Sequence, residues 1–76
     1  MENKTLQIGR REYQIIKAQE KINNFGQAQT WTELRGKRKA VVVLIETRCK
    51  HGVAAKLIHL GRKSPAEAVD ASLIRR

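Results

Sequence analysis

Cations dominate the chemistry this chain can offer. Between Arg35 and Lys63 stand nine basic residues (Arg35, Lys37, Arg38, Lys39, Arg48, Lys50, Lys56, Arg62 and Lys63) against a single carboxylate, Glu46. That stretch is net +8, whereas the remaining residues, seven basic and six acidic, are net +1. The +9 of the whole protein is therefore a local property. Like charges gathered this closely repel one another unless an anion offsets them, and the phosphates of a nucleic-acid backbone are anions that fit. The densest group is Arg35-Gly36-Lys37-Arg38-Lys39. On a hairpin tip it could reach into or across a groove. The ordinary alternative is a solvated turn whose lysines protect a sheet edge. Arg48, Lys50 and His51 form a second basic turn, and Arg62-Lys63 a third, just ahead of Ser64. There the amides of a helix start would favour a phosphate further.

Other chemistry finds less support. Cys49, His51 and His59 are the only candidates for a metal, and a structural zinc site takes four ligands in recognisable pairs. No metal and no cofactor are expected. No nucleophile–base–acid arrangement can be argued from spacing, no glycine-rich phosphate loop is present, and the carboxylates are scattered, so the chain does not read as an enzyme. A single cysteine excludes an internal disulfide, which fits a reducing compartment and a cytoplasmic location. No apolar run is long enough for a signal peptide or a membrane-spanning helix.

The elements that must carry the cations read as strands. Ala40 to Ile45 is an apolar run rich in β-branched residues, which suit a pleated surface, and its unbroken apolarity indicates a central strand covered on both sides. Thr30 to Arg35 reads as an outer strand before it and Val53 to Leu60 as a third strand after it. The turns fall at Gly36-Lys37-Arg38, where Gly36 is expected to supply a positive φ, and at Cys49 to Gly52. For residues 10–25 two readings stand. Leu6 to Ile16 alternates like a hairpin turning at Gly9-Arg10, with a short helical turn to follow over Lys17 to Asn24. Ile15, Ala18, Ile22 and Phe25 also share one helical face, with Gly26 as its C-cap. Ser64-Pro65-Ala66-Glu67 reads as a capping box opening a helix over residues 65–74, with Ala66, Val69 and Leu73 as its apolar stripe. The expectation is a single α+β domain over residues 1–76, residues 1–4 frayed. A three-strand antiparallel meander, with or without an N-terminal hairpin, would pack on a C-terminal helix.

With that helix in place, Leu60-Gly61 followed by Ser64-Pro65-Ala66-Glu67-Ala68, together with Gly36-Lys37 and Ala40, resembles the AP2-type DNA-binding domains and the related arm-binding domains of integrases. The likeness covers about residues 31 to 74. It departs at Arg38, where the family has an aromatic, and in the longer turn at Arg48 to Gly52. The resemblance implies a sheet facing double-stranded DNA, with contacts from Arg35, Arg38 and Lys56. With a helical N-terminus the element order would instead be similar to a double-stranded RNA-binding domain, Arg62-Lys63 being a partial match to its basic cluster. The favoured partner is therefore nucleic acid, duplex DNA first. A small inhibitor or adaptor of the kind phage and mobile elements encode, binding an acidic protein surface, is the alternative. No membrane partner is expected, because no basic amphipathic helix is evident.

Overall fold

A computed structural model describes residues 4–38, 40–61, 63 and 65–76. Its strands are β1 (Thr5–Ile8), β2 (Arg11–Ile22), β3 (Ala28–Arg35), β4 (Val41–Cys49), β5 (Gly52–His59), β6 (Glu67–Val69) and β7 (Ile74–Arg75). They form one antiparallel sheet in the order β6-β5-β4-β3-β2-β1-β7. The strands expected near residues 30–35, 40–47 and 53–60 are β3, β4 and β5, and β4 is an interior strand, as its unbroken apolar run demands. Expected as an outer strand, β3 is instead the middle strand of the seven, because β2 pairs along its free edge.

The α+β expectation is overturned. No α-helix occurs among the described residues, and the segment read as a C-terminal helix is β6, a 3₁₀ turn over Ala71–Leu73, and β7. The reason is tertiary. A helix of about ten residues is marginal alone, whereas both sheet edges offer unpaired amides to this segment. Val69 pairs with Ala55 and Ile74 with Ile8, and both pack on the core. Leu73, the last member of the supposed stripe, is half exposed. The helix that the AP2-type resemblance implies is therefore missing, and only the meander remains of it. Ser64, the proposed cap, lies outside the described residues, as do residues 1–3, most of the end expected to fray.

Residues 10–25 are not helical either, which removes the element order of a double-stranded RNA-binding domain. The hairpin reading holds for β1 and β2, but no helical turn follows, and β2 runs on to Ile22. A β-bulge at Ile16 explains the misleading periodicity. Ile15 pairs with Leu34 and Lys17 with Glu33, leaving Ile16 as the extra residue. The bulge shifts the inward positions from Tyr13 and Ile15 to Ala18, a spacing of three that imitates a helical face.

The sheet curls until its edges nearly meet. β6 and β7 are its opposite edges, yet only Asp70 to Leu73 join them. The Gly9 amide donates to the Leu73 carbonyl at 3.0 Å, tying the β1–β2 turn to this connection, and Arg76 ion-pairs with Glu46 on β4. Inside lies the core: Leu6, Tyr13, Leu34, Val42, Leu44, Ala55 and Leu57, closed off by Ile8, Ile15, Val69 and Ile74. No described helix is long and apolar enough to cross a membrane.

Candidate functional site

Antiparallel connectivity assigns every basic turn to one end of this curled sheet or the other. The β1–β2 turn at Gly9-Arg10, the β3–β4 connection at residues 36–40 and the end of β5 share one end, as the registers Ile8↔Arg11, Gln14↔Arg35, Arg35↔Val41 and Val42↔His59 require. The β2–β3 tip at residues 23–27 and the β4–β5 turn at Lys50-His51 share the other. β4, nine residues long, separates the two ends by about 26 Å.

The first end is a basic mouth. Tyr13 and Val42, both buried, floor a cavity of about 600 Å³ whose rim carries Arg10, Arg11, Lys37 and Arg38. Among the described residues none of these four cations has an ion-pair partner. Three carboxylates stand near, and two are already engaged. Glu67 contacts the His59 imidazole at 3.5 Å. Asp70 accepts from the Ser72 amide at 3.0 Å and the Ser72 hydroxyl at 2.8 Å, and these bonds hold its carboxyl below the ordinary carboxylate range. Glu12 is left to oppose four cations. Gly36 reaches this end without the positive φ expected of it. Its α-carbon instead lies against the Tyr13 ring, where an added methyl would sit 3.6 Å from Cε1, and its amide donates to the Ala40 carbonyl at 2.9 Å.

The nine cations read from the sequence do not form one face. Lys37 and Arg38 are on the rim. Arg35 points outward beside them, over a small recess shared with Lys37 and Glu12. Lys63 is exposed in the β5–β6 connection at the same end. Arg48 and Lys50 are at the opposite end, and Lys56 stands on the outer face of β5 between the two. Lys39 and Arg62 lie outside the described residues. Cys49 and His51 are likewise separated from His59 by the length of the curled sheet. The Cys49 thiol donates to the Thr47 carbonyl at 3.6 Å.

Sequence reasoning missed Arg10 and Arg11. The adjacent pair in a turn was visible, but only the sheet order brings it beside residues 36–38. It also missed the opposite end, where Phe25 is 88% exposed and Ile22 76%. The loop that displays Phe25 is well tied. Asn23 Oδ1 accepts from the Phe25 and Gln27 amides at 3.0 and 2.9 Å, its Nδ2 donates to Gln27 Oε1 at 2.9 Å, and Gly26 takes a φ of 78° at the turn. Comparison of the chain with protein-family models, with curated proteins and with solved structures returned no match.

Proposed function

We propose that this protein binds nucleic acid through its phosphate backbone, using the basic mouth as the principal contact. The observation that carries this reading is the convergence of Arg10, Arg11, Lys37 and Arg38, from two separate connections, on one concave rim opposed by a single unengaged carboxylate. Repulsion among these side chains is relieved by an anion, and guanidinium groups bind phosphate oxygens in a bidentate manner. Two arginines of adjacent sequence beside a third at Arg38 provide several such forks. Backbone contacts carry no sequence information, so the reading is one of general affinity rather than base recognition.

The salt dependence of binding tests it. Each phosphate neutralised on duplex DNA contributes about −0.9 to the slope of log K against log salt. Replacing Arg10, Arg11, Lys37 and Arg38 by Ala together is expected to flatten that slope by about 3 units. Replacing Arg48 and Lys50, at the far end, is expected to change it by less than about 2 units, the ceiling for two contacts. A slope unchanged in the fourfold variant removes the mouth as the contact surface. A parent protein that binds no nucleic acid at low salt removes the reading altogether and leaves a protein partner as the occupant of the mouth.

A further inference from the structure

The outer face of the sheet carries an arrangement that the basic mouth does not use. Thr32 and Leu34 point inward, so Trp31 points outward from β3. It stands directly between Gln19 on β2 and Ile45 on β4. Ile45 is only 2% exposed although it faces away from the core, and its neighbours across the ladders, Trp31 and Lys56, shelter it. The indole is fixed in orientation by a short relay. Its N–H donates to Gln29 Oε1 at 3.1 Å, and the Gln29 amide donates to the Thr47 hydroxyl at 3.0 Å. The Lys21 ammonium lies 4.2 Å from the ring centroid, a cation–π contact in which an exposed side chain covers the ring's electron-rich face.

We propose that this face is a stacking site for the unpaired bases of a single strand, with Trp31 as the platform and Lys21 and Lys56 as the cations for the flanking phosphates. The proposal deepens the nucleic-acid reading above and rests on it. Its logic is geometric. A duplex keeps its base faces stacked on one another and offers only edges and backbone, whereas a single strand can lay a base on a ring held against a sheet. The outer face of a curled sheet is convex and four strands wide here, so it cannot enter a major groove about 12 Å across as a two-stranded ribbon can. Lys21 is exposed and has no ion-pair partner among the described residues, so it can move from the ring to a phosphate when a base takes its place. The exposed amide of Gln19 beside the ring supplies a donor and an acceptor for a base edge. Further along the same hairpin, Phe25 at the tip offers a second aromatic surface to a strand running along β3.

Trp31 is the only tryptophan, so its fluorescence reports this site alone. The experiment titrates the intact protein with a short oligothymidylate, with a duplex of equal length, and with an abasic phosphodiester strand of the same charge. It follows tryptophan emission and, in parallel, the anisotropy of an end-labelled strand. The single strand is expected to quench Trp31, and the duplex and abasic strand to bind without quenching. Phe25→Ala and Lys21→Ala, both at exposed positions, are each expected to weaken single-strand binding by about tenfold or less. If the oligothymidylate binds by anisotropy and the emission of Trp31 does not change, the stacking site is refuted while the backbone reading stands. If no strand binds, both fall. Quenching by anionic phospholipid vesicles with none by oligothymidylate also overturns the proposal and assigns the face to lipid.

Discussion

The two ends of the curled sheet each have an aromatic residue, and they use it in opposite ways. At the basic end Tyr13 is 7% exposed. It floors the mouth, backs onto Gly36, and belongs to the core. At the other end Phe25 is 88% exposed, and no core residue touches it as a neighbour in the cluster. The loop beneath Phe25 is nevertheless organised by one residue, Asn23, which satisfies two amides and a side-chain amide. One end thus builds a buried apolar floor under exposed charged side chains. The other builds a rigid polar scaffold under an apolar side chain. The difference teaches that exposure and order are separable: Phe25 is not exposed because its loop is loose.

The largest expected effect separates the two aromatics by stability. Tyr13→Ala should cost about 3–5 kcal/mol in urea unfolding, as truncation of a buried ring does. Phe25→Ala should stay within about 0.5 kcal/mol, as a surface substitution without partners does. Equal costs would break the contrast. A smaller effect probes the scaffold. Asn23→Ala should cost about 1–2 kcal/mol, the worth of its local hydrogen bonds, and should raise amide exchange at Phe25 and Gln27. Unchanged exchange would mean that the tip is held by something other than Asn23. The smallest effect concerns the connection behind the basic end. The lowered pKa of Asp70 means that its bonds to Ser72 contribute stability above the ordinary carboxylate pKa and lose it as pH falls through the lowered value. Melting curves of the parent and Asp70→Ala should therefore converge as the pH falls well below the ordinary carboxylate range and separate at neutral pH. Curves that stay equally far apart at both pH values would show that ionisation of Asp70 is not what secures the 3₁₀ turn.

The meander was legible because its signals were both local and redundant. The β-branched run at Val41 to Ile45 has no helical alternative of comparable quality, and turn residues bound it on both sides. The C-terminal segment was misread because its local signals are real but weak. Ser64 to Glu67 has the composition of a capping box, yet sheet edges built by residues 5–8 and 55–57 compete for the same backbone. That competition is invisible along the chain. The bulge at Ile16 deceived in a similar way, since one extra residue turns a period of two into a spacing of three. The cations were counted correctly, but their grouping was not. Sequence proximity placed Arg48 with Arg38, whereas strand direction sends them to opposite ends and brings Arg10 and Arg11 from far upstream.

The late position of the closing strand has a consequence for the history of each molecule. Ile8 pairs with Ile74, a residue far downstream in the chain. A nascent chain can assemble β1 to β5 by successive neighbouring hairpins, each closing a short loop. The edge of β1 must then wait, bare, until β7 has been made. During that interval the hydrogen-bonding groups of Gln7 and Ile8 form an open template for another chain. Contacts of such long sequence separation also slow folding, because the loop entropy is lost before the contact is gained. Loss of β7 would therefore leave nearly all of the core intact and make that open edge permanent, producing a chain prone to associate rather than one unable to fold.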